Sequence, residues 1–551
     1  MKNTVSLFKT MIFVFILQIN NIASAQSYLW AKGASGSAGD FGNSVTTDAS
    51  GNVIVAGIFN SPSITFGTTT LTNNSLAGTS DIFIVKYDGN GNVLWAKQEG
   101  GVDFDYINGI TTDTLGNIIV TGDFSSPSIT FGATTLTNLS TPSYDIFIAK
   151  YDSGGNPLWA KSGGGTGSEI SYSIITDAGG NIIATGGFRS PSATFGTTTL
   201  TNTGSFDDIF IVKYNSAGNF LWAKGISGTN GEYGRYVTTD VAGNIIVTGP
   251  FFSSSLTFGS TTLVNLGFSD LFVAKFDGNG NVLWAKSVGG ANSDETRSVT
   301  TDLSGNIVAT GFFSSTSITF GTTTLTNAGS GDMFIVKYDT NGNVLWAKSA
   351  GGAGTEDGYS ASIDASGNII LTGPFSSSFV TFGTIILLNA TVNYFDFFIV
   401  KYDGNGTVLW AKSAGGTNYD ECLSVTTDAS SNIIATGGFQ SATITFGTLT
   451  LTNSGLGDFF IVKLSGVTGL PELEQKKGIN IFPNPTTGKF QVESIQGGSK
   501  QIEIYSLPGV KVYSQALSKQ EETLNLQLTS GIYFVKVFDG DKTITQKLVV
   551  Q

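Results

Sequence analysis

Apolar and polar residues alternate along Asp270-Leu-Phe-Val-Ala-Lys-Phe-Asp-Gly-Asn-Gly-Asn-Val-Leu-Trp-Ala-Lys286, with Leu271 and Val273 before a Gly/Asn turn and Val282 and Trp284 after it. A period of two predicts β-strands. Asn-Gly between two such runs predicts a tight hairpin, because its central residues need φ > 0. The same stretch returns with its Trp at 30, 95, 159, 222, 284, 346 and 410, in steps of 65, 64, 63, 62, 62 and 64 residues. A fixed period of this size means a repeat architecture.

One unit can be written out after Trp284. A loop over 287–297 leads to a first strand, Ser298-Val-Thr-Thr-Asp302. The Ser304-Gly305-Asn306 turn leads to a second, Ile307-Val-Ala-Thr-Gly311, and Asp332-Met-Phe-Ile-Val-Lys337 is the third. The fourth carries the next Trp. Between the second and third lies Ile318 to Asn327, which predicts an extra short hairpin. Four antiparallel strands per unit read as a propeller blade, and the extra hairpin accounts for a period above the roughly 40–45 residues of a plain blade.

The ends of the repeat are complementary. Tyr28-Leu-Trp-Ala-Lys32 is a fourth strand with no first, second or third strand before it, while the last unit, Ser424 to Leu464, lacks a fourth strand. The N-terminal strand is therefore expected to complete the last blade, which removes exposed sheet edges. Seven Trp strands match seven Asp-x-Phe strands, which start at Asp81, Asp145, Asp208, Asp270, Asp332, Asp396 and Asp458. The expected fold is all-β: a seven-bladed β-propeller over 26–466 closed by its N-terminal strand, a polar linker over 467–477, and a small Ig-like β-sandwich over 478–551.

Residues 1–25 predict a secretory signal peptide. Lys2 and Lys9 form its charged start, Met11 to Leu17 its short apolar run, and Ala23-Ser24-Ala25 a small-residue site cleaved between Ala25 and Gln26. No other stretch is long and apolar enough to span a bilayer, so the mature chain is expected to have no transmembrane segment.

Composition narrows the chemistry. The chain has no His, which excludes His-based triads and His acid–base catalysis. Its 28 Lys+Arg against 41 Asp+Glu give a net charge of −13, and no basic cluster offers a nucleic-acid partner a place to bind. Cys422 is the single Cys, so no internal disulfide can form.

Two resemblances follow from motifs. The Val-Thr-Thr-Asp, Gly-Asn-Ile-Ile and Asp-x-Phe-x-x-Lys-Tyr-Asp runs over about 26–466 resemble the SBBP family of β-propeller repeats. That resemblance implies a fold and no common catalytic activity. At the C-terminus, Ile481-Phe-Pro483-Asn484-Pro485, Tyr505-Ser-Leu-Pro-Gly-Val-Lys511, Gly531-Ile-Tyr533-Phe-Val-Lys536 and Lys547-Leu-Val-Val550 resemble the type A sorting domain of the type IX secretion system. This implies passage through the periplasm, export by the type IX machinery, removal of the module, and release or attachment at the outer cell surface.

An acidic residue stands eight positions before the Asp that ends each first strand. These are Asp40, Asp105, Glu169, Glu232, Asp294, Glu356 and Asp420, paired with Asp48, Asp113, Asp177, Asp240, Asp302, Asp364 and Asp428. One reading is a carboxylate ring at a channel mouth that holds a cation, Ca²⁺ being the candidate. The other is that each acid accepts N–H bonds within its own loop, and repetition in every unit favours it. The Asp-Gly-Asn-Gly-Asn turns begin like a calcium loop but lack its closing Glu, so they read as hairpin turns. Departures from the repeat mark the better ligand candidates: Arg189, Arg235 and Arg297, the chain's only Arg, and Tyr106, Tyr172, Tyr233, Tyr359 and Tyr419. No nucleophile with a base stands out, and no cofactor other than Ca²⁺ is implied. The expected function is a secreted or surface-held, non-catalytic binding, adhesion or scaffold module for an extracellular glycan or protein. The alternative is a polysaccharide hydrolase or lyase using carboxylates on the same face.

Overall fold

The computed structural model describes residues 26–74, 78–466, 479–494, 500–506, 510–517, 521–539 and 542–551. The expected signal peptide over 1–25 and the linker over 467–477 lie outside these residues. The chain divides into two units, Ser27–Val467 and one within Thr468–Gln551. Every regular element among the described residues is a β-strand, and none is a helix.

The larger unit contains seven sheets built on the same four-strand plan, each open rather than rolled into a barrel. In the first, the order runs from the inner strand Asp40–Thr47 through Val53–Phe59 and Asp81–Tyr87 to the outer strand Val93–Glu99. The second and third strands are buried along their length in most copies, as in Ile118–Phe124 and Asp145–Tyr151. That burial explains their continuous apolar character. The second sheet is extended by the hairpin Ser192–Phe195 and Thr198–Thr201, which pairs through Gly163↔Phe195. In the last sheet the outer strand is Tyr28–Ala34. It pairs antiparallel with Asp458–Leu464, with Trp30 opposite Lys463 and Ala34 opposite Phe459.

The inner strands begin earlier than their alternation suggests. In the fifth sheet the strand runs Asp294–Thr301, so Asp294 to Arg297 are strand rather than loop. A β-bulge between Thr296 and Ser298 shifts the register. It breaks the period-two pattern that marks a strand in sequence. In the fourth and sixth sheets the inner strand shortens to Tyr236–Thr239 and Ser360–Ile363. There Pro250 and Pro374 occupy the neighbouring strand and supply no N–H to the ladder.

Small hydroxyl residues join neighbouring sheets along the inner strands. Thr112 Oγ1 donates to Thr47 O at 2.9 Å, Thr176 Oγ1 to Thr112 O at 3.1 Å, and Thr301 Oγ1 to Thr239 O at 2.8 Å. Ser Oγ atoms accept instead at other junctions: Val237 N donates to Ser173, Ala361 N to Ser298 and Val425 N to Ser360. Between the last sheet and the first, Val45 N donates to Ser424 Oγ and Thr47 Oγ1 to Thr427 O. The recurring Ser-Val-Thr-Thr run thus carries contacts between sheets.

A second seam lies farther out. Each sheet buries an ion pair between the Asp that follows its inner strand and the Lys of its third strand: Lys86–Asp48, Lys150–Asp113, Lys213–Asp177, Lys275–Asp240, Lys337–Asp302, Lys401–Asp364 and Lys463–Asp428, at 2.7–2.9 Å. Six of these ammonium groups also donate to a carbonyl of the next sheet, and an indole often shares the acceptor. Lys86 Nζ and Trp95 Nε1 both donate to Ser153 O, and Lys337 and Trp346 both donate to Gly404 O. Lys463 and Trp30 of the last sheet donate in the same way to Gly89 O of the first. Trp410 of the sixth sheet differs. Its turn partner would come from the last sheet, where the two ends of the repeat region meet through Ser465 N donating to Ser27 O instead of through a continuous turn. Its buried Nε1 has no partner among the described residues.

The smaller unit packs two sheets on one core. Ile479–Phe482, Lys489–Ser494 and Glu521–Asn525 form one sheet; Lys511–Leu517, Lys500–Ser506, Gly531–Asp539 and Lys542–Val550 form the other. Ile481, Phe490, Ile502, Ile504, Val535 and Leu548 are among the residues that meet between them.

Two expectations follow. Lys213→Met leaves Asp177 buried without its cation and should lower unfolding free energy by about 3–5 kcal/mol in urea titration; a loss below about 1 kcal/mol would show that water replaces the pair. Ser431 sits at φ 61° in a turn where the other copies place Gly, as at Gly51 with φ 77°. Ser431→Gly should therefore raise stability by up to about 1 kcal/mol, read as an increase in Tm.

Candidate functional site

The seven repeated acids Asp40, Asp105, Glu169, Glu232, Asp294, Glu356 and Asp420 are each 0% exposed. Each binds the Ser twenty-one positions on, in the loop after its own sheet's second strand. Asp40 accepts from Ser61 N at 3.2 Å and Ser61 Oγ at 2.8 Å, and Asp105 from Ser126 N and Oγ. Glu169 accepts from Ser190 N, Glu232 from Ser253 N and Glu356 from Ser377 N. Asp294 and Asp420 accept from both N and Oγ of Ser315 and Ser441. A second contact closes the preceding loop: Gly101 N donates to Asp105, Gly165 N to Glu169, Gly290 N to Asp294 and Gly352 N to Glu356. These carboxyls are directed at their own loops and present no open surface to a ligand. Among the described residues no three acidic or Cys side chains are grouped to hold one metal ion.

The residue three positions after each acid behaves differently. Asn43, Asn108, Tyr172, Arg235, Arg297, Tyr359 and Leu423 are all half-buried, in the inner-strand bulge of five sheets and just before the shortened inner strand of the fourth and sixth. They break the sameness of the repeat, and several touch across sheet boundaries. Asn43 Nδ2 donates to Ile107 O, and Asn108 Nδ2 to Ser171 O. The Arg235 guanidinium lies 4.4 Å from the Tyr172 ring centre and 5.1 Å from that of Tyr233. Arg297 Nε meets Asp357 at 3.1 Å and Arg297 Nη1 meets Glu295 at 3.3 Å, with Phe312 beneath the guanidinium. Arg189 Nη2 meets Asp207 at 2.6 Å, and Tyr233 OH donates to the same carboxylate at 3.2 Å. Tyr106 stacks on Phe104 and touches Tyr144, whereas Tyr419 packs on Tyr394 and Phe395.

The acids Asp123, Asp207, Glu295 and Asp357 are the carboxylates these side chains meet, and none was singled out by its motif. The signal for Asp123 was present: equivalent positions hold Ile58, Gly187, Pro250, Phe312, Pro374 and Gly438. Burial pushes Asp123 up to about 8, against the Asn108 amide that donates to it and helped by the nearby Asp105 charge. Burial likewise holds Asp357 up to about 7 despite Arg297.

In the smaller unit the expected sorting residues come together on the last strand. Asn484, between Pro483 and Pro485, donates from Nδ2 to Lys547 O at 2.6 Å and accepts from Val549 N at 2.8 Å. Gly531 and Tyr533 pair with Val550 and Leu548 on that strand, and Tyr533 OH donates to Thr529 O.

The buried acids set a pH dependence. Burial holds Asp40 up to about 6 and Asp105 and Glu232 up to about 7, each also raised by a neighbouring acid, Asp458, Asp81 and Asp208 in turn. Groups whose folded pKa is raised contribute most below the ordinary carboxylate range, and that stability is lost as pH rises through 6–7. The Lys-paired acids act oppositely. Burial pushes Asp48 up, but Lys86 and Asn52 outweigh it and leave the carboxyl below its ordinary 3.8, so its contribution is lost only in stronger acid. Tm should therefore peak near about pH 4–5 and fall toward about pH 8. Calorimetry across that range checks this, and Asp105→Asn should flatten the descending limb.

Comparison with known proteins adds the following. Residues 480–551 match the model of a secretion system C-terminal sorting domain. An uncharacterized WD repeat-containing protein of Acanthamoeba polyphaga mimivirus is 27% identical over an alignment of 518 residues, covering 78% of this chain. The match spans only 37% of that relative's length. Among solved structures, the Pan2 WD40 domain of Neurospora crassa aligns over 76% of this chain and 88% of its own, at 9% identity and a TM-score of 0.37. PorZ, an essential bacterial surface component of the type IX secretion system of Porphyromonas gingivalis, aligns over 95% of this chain and 100% of its own, at 10% identity and a TM-score of 0.14. Among its described residues the chain is all-β, and it carries a C-terminal sorting domain that marks it for export by type IX secretion to the cell surface or beyond.

Proposed function

We propose that this chain is an exported, non-catalytic binding module: a signal peptide over 1–25, a seven-bladed propeller of SBBP-like repeats over 26–466, a linker over 467–477 and a sorting module over 478–551. In this reading the N-terminal strand closes the propeller. Support comes from the pairing of Trp30 with Lys463 and from their shared acceptor, Gly89 O, which repeats the junction used between other sheets. The mature chain passes through the periplasm, leaves by the type IX machinery and is released or held at the outer surface.

The observation that carries a binding role is the gathering of the chain's departures from its own repeat at one place, the loop-side ends of the inner strands. Structural positions recur in every unit; Arg235, Arg297, Tyr172, Tyr359 and Asp123 do not. A glycan or protein ligand is taken there. The hydrolase or lyase alternative needs two carboxyls open to a substrate. Asp123 and Asp357 are 4% and 6% exposed and are occupied by Asn108 and Arg297.

A glycan and extracellular-protein array run beside a polysaccharide-degradation assay tests this. The expected result is saturable binding that falls at least about tenfold in Arg297→Ala with Tyr359→Ala, and no turnover. Depolymerisation abolished by Asp123→Asn would assign the enzyme instead. For export, 467–551 fused to a periplasmic reporter should carry it outside a type IX-competent cell; a reporter retained in the periplasm overturns the route.

A further inference from the structure

Of the chain's three Arg residues, two are neutralised where they stand. Arg189 pairs with Asp207, and Arg297 with Asp357 and Glu295. Arg235 makes no ion pair among the described residues, and its buried Nε has no hydrogen-bond partner. Tyr172 and Tyr233 nonetheless hold it in position at 4.4 and 5.1 Å. A planar guanidinium fixed in this way and lacking an anion is prepared for a bidentate oxyanion. Asp207 is taken by Arg189 and Tyr233 OH.

An apolar strip starts beside it. Tyr233 touches Phe252 at 6.1 Å, and Phe252 touches Phe268 at 5.5 Å, each pair edge-to-face. Phe268 and Leu266 are both 67% exposed. Large apolar side chains held open beside a charged group suit a ligand that is apolar next to its own charge. Phe252, Leu266 and Phe268 offer a sugar no side-chain donor or acceptor for its hydroxyls. The net charge of −13 also repels a polyanion while tolerating one carboxylate at a local cation.

Building on the binding role above, we propose that the loop side of the fourth sheet receives a peptide segment whose carboxylate docks on Arg235 while neighbouring aromatic or aliphatic side chains lie along Tyr233, Phe252 and Phe268. The free cation sets the requirement for an acid, and the strip sets the apolar neighbours.

A displayed random heptapeptide library selected on the full chain tests the assignment. Selected peptides should combine Asp or Glu with Phe, Tyr or Leu. A synthetic consensus should bind about tenfold or more tightly than its twin with amide in place of acid. Arg235→Gln should abolish that difference. Phe268→Ser, at a site 67% exposed, should weaken both peptides several-fold. Three outcomes overturn the proposal: no selected peptides or no acidic enrichment, equal binding of acid and amide twins, or an acid preference that survives Arg235→Gln. Oligogalacturonate binding that is lost in Arg235→Gln, with no peptide selected, would overturn the peptide and assign an acidic glycan. Array ligands that depend on Arg297 and Tyr359 but not on Arg235 would leave the broader binding role standing and remove this one.

Discussion

The larger unit depends on one contact repeated at its seams: a Lys buried against its own sheet's Asp that also donates to a carbonyl of the next sheet. A buried ammonium without an anion is costly to keep, and a buried pair needs its remaining hydrogen bonds filled before it is tolerated. The next sheet's turn carbonyl fills one of them. A sheet that stood alone would leave that N–H in water or unmet, so the ion pair favours stacking of sheets over separation. The indole N–H directed at the same carbonyl acts in the same direction. Trp410 shows the rule by exception: its N–H has no partner among the described residues, and in the last sheet the two ends of the repeat region replace the continuous turn that supplies the acceptor elsewhere.

Two classes of buried charge coexist, and their environments separate them. The Lys-paired acids are charged and clamp sheet to sheet. The loop acids, from Asp40 to Asp420, have their pKa raised chiefly by burial, and each holds a loop Ser in place. This division leaves the loop side pre-formed. Every loop is tied to its own sheet by the same acid, so variation three residues farther along the inner strand does not disturb the scaffold. A repeat that is constant at its structural positions can therefore change the residues at these variable positions one by one.

Much of this was legible in the residues. The repeat period, the strand types, the extra hairpins and the complementary ends follow from alternation, Gly/Asn turns and counting, because each is a local property of the chain. The loop acids were also found, and hydrogen bonding within the loop was already one of their two readings. The inner-strand starts were missed because a bulge at Thr296 and Ser298 breaks the alternation that would have marked them. Asp123 was hidden for a different reason: one acid at a position that elsewhere holds Ile, Gly, Pro or Phe looks like noise until the inner strands bring it against Asn108.

What the sequence determined by itself is the unit and its number, since hydrophobic period and turn chemistry act over a few residues. Tertiary structure decided which charges meet. Lys86 and Asp48 stand 38 residues apart, and Arg297 and Asp357 belong to different sheets. Three Arg residues look alike in sequence. Only the packing of strands from separate units leaves Arg235 without an anion and gives the other two theirs, because Coulomb attraction follows distance in space and not position along the chain.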